Sequence, residues 1–184
     1  MSTQTEVIDG YVAGTWTIDA VHSDVSFYVR HLGVSKVRGH FAAFEGTIVT
    51  AEDPLESSVN AVIKTGSVST NNETRDAHVR GADFLDVEAH PEMTFASTAI
   101  RPQTSELFEV DGELTLHGVT KTVTLTLELN GFGKGFDGNP VAGFSAATEI
   151  SRGEFGVTGG AAGAAVSDKI KIALEIEAGL ATQG

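Results

Sequence analysis

The residues with most scope for chemistry lie between Thr70 and Phe95, in TNNETRDAHVRGADFLDVEAHPEMTF, which carries two of the six Arg (Arg75, Arg80) and two of the six His (His78, His90). A guanidinium grips phosphate or carboxylate with a planar fork of donors. Imidazole titrates closest to neutral pH. The stretch is therefore suited to holding an anion or moving a proton, and the plainer alternative is a set of solvated helix charges. Two further pairings, His22 with Asp24 and His78 with Asp76, have the composition of a general acid/base. The plainer reading there is polar residues at strand starts and in a capped helix bonding nearby backbone.

What is missing narrows the chemistry further. The chain has no Cys, which excludes disulfides, thiolate metal sites and a cysteine nucleophile. There is no Walker loop, GxSxG elbow, HExxH or EF-hand spacing. The six His (22, 31, 40, 78, 90, 117) never fall two or four apart, so a metal site would have to be assembled from separate strands. No metal and no cofactor are expected. A formal charge of −13 opposes nucleic acid as a partner, and no run of Lys or Arg offsets it. The first residues, MSTQTEVIDGYVAG, lack the basic and apolar regions of a secretory signal, and nothing approaches a membrane span. The expectation is a cytoplasmic protein with no integral membrane segment.

The elements that must position these residues are strands. Residues 1–13 are polar and aperiodic and read as a flexible N-terminal arm; residues 14–184 read as a single domain. Strands are expected at 15–20, 21–30 and, after a HLGVSKVRG turn, 40–51, then at 57–68. In the second strand Val21, Val25, Phe27 and Val29 face one way, and Asp24, Ser26, Tyr28 and Arg30 the other. In 40–51 the positions of Phe41, Phe44 and Ile48 break parity and predict a bulge or two half-buried faces. The charged insert follows as a short helix, with Thr70-x-x-Glu73 as capping box, Gly81 at its C-terminus and an Asp76–Arg80 pair. Strands resume at 92–100, 107–117, 121–130, 141–151 and 168–178. KTVTLTLEL is the cleanest alternation, and Ile170, Ile172, Leu174 and Ile176 repeat it. Eight or nine strands joined by turns as short as Leu116-His117-Gly118-Val119 imply antiparallel meanders. The fold class is all-β with a short helical insert, best met by a barrel that removes sheet edges; a two-sheet sandwich is the structural alternative.

Four segments carry a resemblance: WTIDAVHSDVSFYVRHLGVSKVRGHF (16–41), TRDAHVRGADFLDVEAHPEMTF (74–95), VDGELTLHGVTK (110–121) and GFSAATEISRGEFGV (143–157). In this order they are similar to the YceI-like family, lipocalin-like polyisoprenoid-binding proteins. The resemblance spans about residues 15–178. It implies an extended eight-stranded antiparallel lipocalin-like barrel with a helix between strands and a long apolar channel. Members are associated with polyprenyl pyrophosphates or isoprenoid quinones, and many are exported.

Carried onto this chain, the resemblance implies an apolar ligand chain against Phe27, Val29, Phe41, Phe44, Phe95, Leu114, Leu116, Leu125, Leu127 and Phe144. A head group would lie near His22, Arg30, His31, Arg75, Asp76, His78 and Arg152. For any single Phe, core packing remains the simpler role. The expected function is binding, storage or transport of a long isoprenoid or similar amphipathic lipid without catalysis, with a homodimer as a possible assembly. The alternative is a barrel isomerase or hydrolase of a small hydrophobic substrate using His22 or His78 as base.

Overall fold

The computed structural model describes residues 8–181. Its elements are β1 (Gly14–Ile18), β2 (Asp24–His31), β3 (Ser35–Phe41), β4 (Phe44–Thr50), β5 (Ser58–Lys64), β6 (Val68–Ser69), α1 (Glu73–Arg80), β7 (Glu92–Pro102), β8 (Leu107–Leu116), β9 (Val119–Lys134), β10 (Pro140–Ser151) and β11 (Lys169–Leu180). Every strand pair is antiparallel. Neighbours run β1-β4-β5-β7-β8-β9-β10-β11, and β11 returns to β1 to close an eight-stranded barrel.

The closure depends on the length of β11. Its last residues, Ala178 to Leu180, pair with β1, while Lys171 to Glu175 pair with β2. From there β2, β3 and β6 continue as a flap over the other end. Trp16 seals the β1 end: its ring is 1% exposed among Ala142 and Ala178, and its indole N–H donates to Thr50 Oγ1 at 2.8 Å. A buried indole with its donor satisfied suits a seam that must stay dry.

Several local features differ from the sequence reading. The segment 31–39 is not one turn: Leu32 and Gly33 both take left-handed conformations (φ 56° and 69°), and residues 35–41 return as β3. Leucine rarely adopts that conformation, so the turn carries a weak sequence signal. The expected third strand is two strands broken at Ala42–Ala43, β3 pairing with β2 and β6 and β4 with β1 and β5. Val21 lies in the turn before β2 and is 88% exposed. The helix is capped by Asn72, whose side chain accepts from the Arg75 N–H, rather than by Thr70. Gly81 is the C-cap as expected, though with an ordinary negative φ. The Asp76–Arg80 pair does not form, because Asp76 Oδ1 accepts from the Thr70 N–H (2.7 Å) and hydroxyl (2.6 Å).

The expected arm lies outside the described residues over 1–7. At residues 8–13 the chain crosses the Trp16 end of the barrel. Tyr11 donates to the Ala51 carbonyl and sits edge-on to Phe132, ring centroids 5.5 Å apart.

A candidate ligand-binding cavity

Inward positions of alternating strands should fill an eight-stranded barrel or leave room for one small ligand. Among the described residues, two apolar cavities lie in the interior. One, of about 210 Å³, runs from the Trp16 end to mid-barrel; the second, of about 350 Å³, continues beneath α1. Val25, Met93 and Ile172 line both. The two compartments therefore adjoin, and these three residues form the waist between them.

All ten apolar residues singled out from the sequence line this interior. Phe44, Phe95, Leu114, Leu125, Leu127 and Phe144 face the cavity at the Trp16 end. Phe27, Val29, Phe41 and Leu116 face the one beneath α1. The waist was missed, although Val25 lies on the same face of β2 as Phe27 and Val29, and Ile172 belongs to the alternating apolar face of β11 with Ile170, Leu174 and Ile176. Phe84 and Leu85, which line the helix end, follow Gly81 in a segment with no strand periodicity to mark them.

The polar residues divide. His31, Arg75, His78 and Arg152 line the helix-end cavity. Arg30 does not, because it follows Val29 on a strand and points outward, exposed. Asp76 is buried behind Thr70. His22 lies in the turn between β1 and β2, beside Asp19 (2.7 Å) and Glu177 (3.2 Å), and lines neither cavity. The hydrogen bond to the Asp19 carboxylate raises the His22 pKa, and the imidazole borders a separate pocket of about 380 Å³ with Asn130, Phe132, Ile176 and Glu177.

Arg152 is buried and its guanidinium is fully used. Nε donates to the Ser167 carbonyl (3.1 Å), Nη1 to those of Val157 (2.9 Å) and Thr158 (2.8 Å), and Nη2 to those of Gly163 (2.8 Å) and Val166 (2.9 Å). Five N–H groups meet five carbonyls, which is the whole donor capacity of the side chain. Arg152 thus pins the glycine- and alanine-rich loop that floors the helix end. Arg75 commits Nε to Thr70 Oγ1 (2.7 Å) and Nη2 to the Thr70 carbonyl (2.6 Å), leaving Nη1 with no protein acceptor among the described residues. Thr70 also holds the Asp76 carboxyl below its ordinary range through its hydroxyl. His78 stands 3.1 Å from Asp83 and edge-on to Phe84.

Among the described residues, Asp19, His22 and Glu177 bring one donor atom each within 4.8 Å of the others, and so does a second cluster suited to a metal ion, Asp86, His90 and His117. It joins the segment after α1 to the β8–β9 turn, where His117 Nδ1 faces the Phe155 carbonyl at 3.2 Å. Among the described residues, no helix is long and apolar enough to cross a membrane.

The YceI-like domain family matches residues 16–178. Protein YceI of Salmonella arizonae is 42% identical over 150 residues, covering 80% of this chain and 78% of its own. Among solved structures, a Campylobacter jejuni YCEI protein is 28% identical with a TM-score of 0.75, covering 99% and 98% of the two chains. A polyisoprenoid binding domain from Saccharophagus degradans, implicated in plant cell wall breakdown, is 15% identical, covers 92% of this chain and all of its own, and has a TM-score of 0.72; that likeness is one of fold. With its eight-stranded barrel and a family match over nearly all of the described residues, the chain belongs to the YceI-like domain family.

Proposed function

We propose that the barrel binds one long isoprenoid or similar amphipathic lipid, its hydrocarbon lying through both cavities and its head group at the helix end. The observation that carries this reading is the waist: Val25, Met93 and Ile172 border both compartments, so one flexible chain can occupy both. Burial of hydrocarbon contributes roughly 0.8 kcal/mol per CH₂, or about 4 kcal/mol per five-carbon isoprene unit before the cost of ordering the chain. The polyisoprenoid named for the Saccharophagus degradans structure has the chemistry such a lining accepts.

At the head-group end, Arg152 acts by positioning its loop, since its donors are taken. The groups left to meet a ligand are Arg75 Nη1, His31 and His78. One free guanidinium nitrogen and two imidazoles make a small set of hydrogen-bond partners. This favours a quinone carbonyl over a pyrophosphate, whose charge a net −13 opposes at long range.

Native mass spectrometry of protein freshly isolated from its own host, followed by lipid extraction, tests this reading. The expected result is a stoichiometric, chemically unmodified isoprenoid. Empty protein that also takes up no prenyl quinone or prenyl pyrophosphate would overturn it. A ligand recovered in altered form would favour catalysis, with the His78–Asp83 pair as the nearest acid/base group.

A further inference from the structure

The chain has no sequential run of basic residues, yet the fold builds a cationic face. No Asp or Glu occurs between Asp24 and Glu45, while Arg30, Lys36 and Arg38 all fall there. The β2–β3 hairpin sets Arg30 directly opposite Lys36, and Tyr28 opposite Arg38; on the other side Lys171 of β11 faces Tyr28. Lys36 and Arg38 both stand over the Tyr28 ring, at 4.8 and 5.4 Å from its centroid. Arg30, Lys36 and Arg38 are exposed, and none is in an ion pair among the described residues.

Like charges directly opposite on neighbouring strands destabilise a sheet, so the Arg30–Lys36 pairing works against the fold, offset in part by the Tyr28 ring beneath Lys36 and Arg38. At the hairpin tip stand Leu32 and Val34, 66% and 83% exposed. The inner face of the same hairpin, through Val29, His31 and Val37, lines the helix-end cavity. Cations flanking an aromatic ring, with two aliphatic side chains at the apex, make a surface complementary to anionic head groups and the acyl boundary beneath them.

We propose that the β2–β3 hairpin docks the barrel on an anionic lipid surface, presenting the helix-end cavity to the bilayer. The rest of the molecule is acidic and is held off the same surface, so docking has one orientation. The inference concerns the outer face of the hairpin, and its test uses vesicles without isoprenoid, so its failure is distinct from a failure to bind cargo.

The experiment is co-sedimentation of the full chain with vesicles of phosphatidylglycerol and phosphatidylcholine in equal parts, against pure phosphatidylcholine, at several salt concentrations. Binding is expected only to the anionic vesicles, weakening as salt rises. Each basic residue near such a surface is worth about fivefold in binding, so Lys36→Glu with Arg38→Glu should weaken it at least tenfold. Leu32→Ser with Val34→Ser should weaken it without changing the salt dependence. Lys36→Glu also places a carboxylate opposite Arg30, so its melting temperature should stay level or rise as docking falls, which separates docking from damage to the fold. Absence of wild-type binding, equal capture by neutral vesicles, variants that bind as well as wild type, or tighter retention on a short RNA duplex than on vesicles would each overturn the proposal.

Discussion

The ring of Phe27 occupies the space that a side chain at residue 39 would need: a Cβ on Gly39 would lie 2.5 Å from Phe27 Cζ. The two residues are directly paired across β2 and β3, and Phe27 lines the helix-end cavity. A glycine on one strand thus lets an aromatic ring on the next fold flat against the wall and leaves the interior open.

Gly39→Ala should therefore swing the Phe27 ring inward. Because the atoms in the way belong to the free end of a side chain, the stability change is expected to stay within about 1 kcal/mol, while ligand affinity falls at least tenfold. Thermal denaturation and equilibrium binding on the same sample check this; unchanged affinity would show that the space is not used.

Gly112→Ala is the contrasting case. A Cβ there meets Phe95 Cζ at 2.3 Å and also the Ala96 carbonyl oxygen at 2.8 Å. Backbone cannot swing away, so a loss of about 1–3 kcal/mol is expected, measured by denaturant unfolding.

Arg152→Ala leaves five loop carbonyls without their donor. With the side chain only 7% exposed, a loss of about 3 kcal/mol or more is expected, together with proteolytic cleavage within 157–167. Arg152→Lys supplies three donors in place of five and should fall between. Limited proteolysis with unfolding curves distinguishes this positioning role from direct contact with a head group, which would lower affinity without loosening the loop.

Acid should weaken the fold through carboxyls held below their ordinary range. Asp76 is stabilised as the anion by Thr70, and Asp111 is lowered to about 2 by Arg101. A depressed folded pKa contributes stability that is present above the ordinary carboxyl value of about 4 and is lost as pH falls through the folded value. The advantage of wild type over Asp111→Asn should therefore shrink between about pH 4 and 2, and that over Asp76→Asn should shrink as pH falls below about 4. A constant difference across that interval would contradict these assignments.

The strands were legible where alternation was unbroken. In KTVTLTLEL, Val123, Leu125, Leu127 and Leu129 face the cavity as their period of two requires. β3 was hidden because its turn begins with Leu32 in a left-handed conformation, which residue type does not announce. Arg30 shows the limit of carrying a site over by neighbourhood: strand parity turns it outward, next to Val29, which faces in. Arg152 could be placed near the helix end but not understood, since its partners are backbone carbonyls of Gly- and Ala-rich chain with no side-chain signature. The waist needed three strands brought together, information that no single segment contains.

The most direct test of the account is the affinity of the barrel for prenyl alcohols or quinones of increasing isoprene number. One chain passing the waist between Val25, Met93 and Ile172 predicts that affinity rises with each unit and then levels once both cavities are filled. Met93→Trp should make it level at shorter chains, and Phe27→Asp with Phe144→Asp should abolish binding. Affinity independent of chain length, or binding that survives both interior aspartates, would contradict it.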